Sequence, residues 1–233
     1  MKKVLFAGLL AIVGVSVNAQ NLIKNSKFET EVTTKLANPN KATAGEWFFL
    51  NNEATGATTI EWEKTSDAQY PTAMKFDNSG AEKNISWYKA YLGQRITDGL
   101  QKGIYTLTFY VKAKEAGTPV SVYIKQTNED KNEAGKSGTT FFMRRDYDAE
   151  SQPKASGAQY TFNVKSADKW TKVVVNYDMG QVVNAISSKQ SNPDLTISDT
   201  DDDANILKDC YIAILSQNKG GVIEVSDVTL QKK

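Results

Sequence analysis

Residues 86–113 read SWYKAYLGQRITDGLQKGIYTLTFYVKA, two alternating segments joined by a short polar turn. Successive side chains of a strand point to opposite faces, so every second residue belongs to one side. In the first segment Tyr88, Ala90, Leu92, Gln94 and Ile96 share a side, with Trp87, Lys89, Tyr91, Gly93 and Arg95 opposite. In the second, Tyr105, Leu107, Phe109, Val111 and Ala113 stand against Ile104, Thr106, Thr108, Tyr110 and Lys112. The more apolar set of each segment is expected to face a core. The other faces mix rings with polar and cationic groups and are expected to be solvated.

Outward from this stretch, further strands are expected at 21–28, 47–50, 59–64, 73–76, 119–126, 141–144, 159–164, 171–177, 210–215 and 222–230. In 119–126 the alternation turns Val120, Val122 and Ile124 inward and Ser121, Tyr123 and Lys125 outward. A short helical turn is expected near 180–187. Short strands separated by turns rich in Gly, Asn, Asp and Lys favour an all-β sandwich or barrel. Two long polar stretches, 128–156 and 181–205, interrupt the spacing, and loops of that length are usually functional or disordered. With no internal repeat or linker, residues 20–233 are expected to form a single domain.

The first residues have the character of a bacterial signal peptide. Lys2 and Lys3 precede an apolar run, and Val17-Asn18-Ala19 supplies small residues at the first and third positions before the cut. Cleavage is expected between Ala19 and Gln20, giving a secreted or periplasmic protein. The run is short for a membrane span, and no later stretch is apolar enough, so no membrane insertion is expected. The formal charge of +1 becomes −1 once Lys2 and Lys3 are removed, since no acid leaves with them. A nucleic-acid partner is therefore not expected. The single cysteine, Cys210, sits in an apolar run and reads as a core residue. The chain has no histidine, which removes Ser-His-Asp and Cys-His nucleophile systems and histidine metal sites.

The opening Asn21-Leu22-Ile23-Lys24-Asn25-Ser26-Lys27-Phe28-Glu29, then Leu92-Gly93-Gln94-Arg95-Ile96, 103–113, Trp170-Thr171-Lys172 and the close at 223–230 resemble, in that order, the jelly-roll carbohydrate-binding modules of families 4, 9 and 22. The resemblance implies a galactose-binding-domain-like fold: two antiparallel sheets face to face, with the first and last strands adjacent. It also implies one structural calcium ion, carried over by position onto Glu29 and Asp227. Calcium takes six to eight oxygens, which two carboxylates, carbonyls and water can supply. Ser226 stands where family members often have a second acid.

Sugar binding uses flat apolar faces for the C–H side of a pyranose, with donors and acceptors nearby. The candidate carbohydrate-binding residues are Trp87, Tyr91, Arg95, Tyr110 and Tyr123, which line one concave side if their strands share a sheet. Lys112 and Lys125 accompany them. Trp47, Trp62 and Trp170 read as structural. The acidic run 199–203 has Ala204 where a calcium loop needs Gly and Cys210 where it needs Glu, and is read as a solvated loop. Glu61, Glu63, Asp98 and Glu224 offer no pair that the sequence places across a cleft, and no phosphate-binding loop or nucleophile elbow is present. The expected function is non-catalytic carbohydrate binding, without an organic cofactor. The alternative is a structural or protein-interaction module docking a partner at the cell surface or in the periplasm.

Overall fold

The computed structural model describes residues 20–52, 58–86, 88–96, 100–128, 139–145, 160–184, 195–196, 207–208 and 210–233. Its strands are β1 (Lys35–Leu36), β2 (Trp47–Asn51), β3 (Thr59–Lys64), β4 (Thr72–Asp77), β5 (Ala90–Arg95), β6 (Ile104–Ala113), β7 (Pro119–Asn128), β8 (Thr139–Arg145), β9 (Tyr160–Asn163), β10 (Thr171–Asn184), β11 (Leu195–Thr196), β12 (Tyr211–Leu215) and β13 (Val222–Lys232). They form one curled sheet in the order β1-β2-β5-β12-β7-β8-β10-β6-β13-β4-β3, with β9 on β7 and β11 on β10. Every pairing is antiparallel except β1 with β2. The fold is an all-β sandwich of the jelly-roll type.

The sheet curls because β10 serves both layers. Its first half pairs with β6 and its second half with β8, with a register shift between Asp178 and Val182. We call β1-β2-β5-β12-β7-β8 the front layer and β6-β13-β4-β3 the back layer. Between them lies the main core, where Leu92, Val122, Ile124, Ile212 and Ile214 of the front meet Phe76, Leu107, Phe109, Val225 and Leu230 of the back. The inward residues of β6 are buried at every second position, as the alternation requires. Cys210 is buried in the same core.

Two stretches depart from expectation. Residues 21–28 are not a strand: Asn25 and Phe28 take φ of 44° and 56°, which bends the chain, although Leu22 still donates to Leu230 O beside β13. The turn expected near 180–187 is strand through Asn184, because β8 supplies a ladder for the second half of β10. The expected signal segment and the acidic run 199–203 lie outside the described residues. Among the described residues no helix is long and apolar enough to cross a membrane.

Candidate functional site

The front layer has a second apolar cluster on the side away from the core: Phe48, Leu50, Tyr91, Tyr123, Phe142, Tyr211, Ala213 and Leu215. Register explains its composition. One cross-strand row runs Arg95, Tyr211, Lys125, Phe142; the next runs Phe48, Gly93, Ala213, Tyr123. The two small residues in the second row leave a trough, and Phe48 lies in it. A Cβ on Gly93 would stand 2.6 Å from Phe48 Cζ. Phe48 meets Tyr91 and Tyr211 edge-on, with centroids 6.2 and 6.1 Å away, while Tyr91 and Tyr211 stack with their planes 15° apart.

Lys125 stands among these rings. Its Nζ is 4.5 Å from the Tyr91 centroid and 5.4, 5.7 and 5.8 Å from those of Tyr211, Tyr123 and Phe142. Ring faces attract a cation at such distances. Burial nevertheless pushes the ammonium down to about 7, because the neutral form loses less when water is removed. The same burial raises the Tyr123 phenol.

The sequence placed Tyr91, Tyr123, Arg95 and Lys125 on a solvated face, and the structure corrects the solvation while keeping the face. β5 and β7 do belong to one layer, with β12 between them, but Tyr91, Tyr123 and Lys125 are 2%, 4% and 2% exposed. Alternation reports which way a side chain points; it cannot report what lies over it. Part of the cover is described. The chain leaves β1 and the 3-10 turn Pro39–Lys41 approaches β7. It then returns to the β5 edge, where Gly45 donates to Arg95 O and the half-buried Arg95 guanidinium reaches Ala42 O at 3.5 Å. Leu36 and Ala42 pack on the rings.

Tyr110 is on the other layer. It points out from β6 and flanks Tyr70, which packs in turn on Trp170 at a tilt, with centroids 4.8 and 4.6 Å apart. Trp87 lies outside the described residues. Trp47 and Trp62 are structural as expected: their indole N–H groups bond Lys24 O and Phe28 O at 3.0 and 2.7 Å. Of the isolated acids, Glu61, Glu63 and Glu224 pair with lysines on the outer back face, and Asp98 lies outside the described residues. Phe48, Phe142 and Tyr211 were the ring residues that sequence reading missed. β12 is buried on both sides, so its run shows no period to separate Tyr211 from its neighbours.

Glu29 and Asp227 flank two bends. Asp227 occupies the bulge of β13 at φ 48°, and Val228 donates to Ser26 O. Among the described residues no group of three acidic, histidine or cysteine side chains gathers to hold a metal. A calcium ion there would take its remaining oxygens from carbonyls and water, and Lys27 O and Phe28 O already accept from Thr72 and Trp62.

Residues 21–230 match a family described as a domain of unknown function (DUF4627). No curated protein matches the chain. The crystal structure of a candidate sugar-binding protein from Bacteroides thetaiotaomicron VPI-5482 is 76% identical with a TM-score of 0.81, over 92% of this chain and 100% of that one. A structure from carbohydrate-binding module family 4 is 16% identical with a TM-score of 0.50, over 91% and 99% of the two chains, a likeness of fold.

Proposed function

We propose that this chain, which belongs to the family of the domain of unknown function DUF4627, binds carbohydrate without altering it after export from the cell. The observation that carries this reading is the front face: rings from five strands share one rigid surface with Lys125 and Arg95. Flat apolar faces beside fixed donors suit a pyranose. The likeness to a candidate sugar-binding protein at 76% identity supports the same assignment. The contacts we assign are Tyr91, Tyr123, Arg95 and the newly found Tyr211, with Trp87 retained from its place in the sequence. Tyr110 is left out because its layer faces the other way.

Access requires the cover to move. Across the rings the described cover contributes Ala42 and part of Leu36, small groups whose burial is worth only a few kcal/mol at about 25 cal/mol per Å2. Displacement by a ligand that stacks on several rings is energetically reasonable. A docking surface for protein has less support, since the exposed large hydrophobics among the described residues are the separated Tyr88 and Val174.

Chain 20–233, run through gels carrying plant, host or microbial polysaccharides, is expected to be retarded by one class. Arg95→Ala and Tyr91→Ala should weaken retardation about tenfold or more, the loss expected of a central contact, with circular dichroism confirming the fold. Retention that survives both changes, or no retardation by any polysaccharide, overturns the reading. The calcium ion is part of the proposal at Glu29 and Asp227. Melting should then be higher in calcium than in chelator, by a margin that Asp227→Asn abolishes. Identical melting in both buffers rejects the ion.

A further inference from the structure

The outer face of the back layer carries a ladder of alternating charge. Across β3, β4, β13 and β6 the register sets Glu61 beside Lys75, Lys75 beside Glu224, and Glu224 beside Lys112. Opposite charges directly across strands attract. Lys112 Nζ is 2.6 Å from Glu224 Oε2, and Lys75 Nζ is 3.7 and 3.8 Å from Glu61 and Glu63. The Lys112 ammonium also sits 5.2 Å above the Trp170 ring, so it is held from two directions. The Trp170 indole N–H is buried with no acceptor among the described residues.

One row further along, the surface opens into a groove of about 360 Å3, lined by Lys75, Asp77, Lys112, Lys114, Asp168 and Glu224 over the half-buried Val222. This is within the roughly 300–1,000 Å3 of small-molecule sites. Each wall is fixed by backbone: Lys114 N donates to Val222 O at 3.0 Å and Asp168 N to Ala113 O at 2.8 Å. Ser79 bonds Asp77, holding that carboxyl below its ordinary value. The Asp77 carboxylate is therefore a charged acceptor, placed among the lysine side chains of the groove.

We propose that this groove is a second binding site, taking a neutral hydroxyl-rich ligand such as a sugar unit. The chemistry follows from the alternation of sign. A polyanion entering here meets Asp77, Asp168 and Glu224, and a polycation meets three lysines. A vicinal diol donates to a carboxylate with one hydroxyl and accepts from an ammonium with the other, and such charge-assisted bonds are the stronger kind. The groove shares no residue with the front face.

The test is a titration of 15N-labelled chain 20–233 with cellobiose and lactose, with digalacturonate as the anionic comparison, reading backbone amide shifts. Shifts at Val222, Lys114 and Asp168 with a neutral disaccharide are expected, weakened about tenfold in Lys114→Ala/Asp168→Asn by the loss of two charge-assisted contacts. Asparagine is chosen because Asp168 has φ 53°, which Asn tolerates. Three results overturn the proposal: no groove shift with either neutral sugar, tighter binding of digalacturonate, or shifts indifferent to the double variant. Front-face amides such as Tyr91 and Tyr211 are read in the same spectra, so the two sites succeed or fail separately.

Discussion

At pH 6, Lys125→Met is expected to melt above the parent chain by on the order of 10 °C, a gap that closes as the pH is raised toward 10.5. Lys125 has its ordinary value of 10.5 in the unfolded chain and about 7 when folded. Below pH 7 both states hold the proton, and the folded state bears a buried charge at full penalty. Between 7 and 10.5 the unfolded state binds more protons than the folded one, so stability rises with pH. Above 10.5 both are neutral and the penalty is gone. At about 1.36 kcal/mol per pH unit the window spans ~5 kcal/mol, and each kcal/mol moves the midpoint of a chain this size by about 2–4 °C. The ring faces around Nζ oppose the shift, since they favour the ammonium. Calorimetry of both chains across pH 6–10 checks this. A variant less stable at every pH would mean that the rings hold a charged lysine at a net gain.

The second large effect concerns Gly93. Its missing side chain is where Phe48 lies, with Cζ, Cε1 and Cε2 at 2.6, 3.0 and 3.1 Å from an added Cβ. Real Cβ atoms do not approach that closely, so Gly93→Ala must displace a ring that Tyr91 and Tyr211 hold edge-on. Overpacking of this kind costs about 1–3 kcal/mol. Phe48→Ala costs about 3–5 kcal/mol through the cavity it leaves. The two are expected to be strongly non-additive, because without the ring the added methyl has room. Denaturant unfolding of both singles and the double measures the coupling. Additive losses would show that Phe48 does not lie across β5 as described.

Much of the fold was legible in alternation. β6, β7 and β13 have a clear inward set, and those residues are buried as the pattern requires. The pattern also separated Tyr91 and Tyr123 from the core-facing side. What it could not give was partnership. β5 and β6 follow one another in sequence yet lie in different layers, since β5 pairs with β2 and β12 while β6 pairs with β10 and β13. Tyr110 is thereby parted from Tyr91. Nor could alternation show a face covered by a segment as distant in the chain as Leu36 and Ala42, which is why Lys125 read as solvated. The need for glycine at position 93 is visible only once Phe48 is placed opposite it. Whether the chain is exported rests on sequence signals in residues 1–19.

Carbohydrate binding at the front face requires that sugar protons touch its rings. Once a retarding polysaccharide is found, its oligosaccharide is added to chain 20–233 and the aromatic protons are irradiated, with ring signals assigned by single Tyr→Phe variants. Transfer to pyranose C–H protons from Tyr91, Tyr123 and Tyr211 is the predicted result, diminished in Tyr91→Ala. Transfer from Tyr110 and Trp170 alone, or from no ring, would contradict it and leave the front cluster as packing.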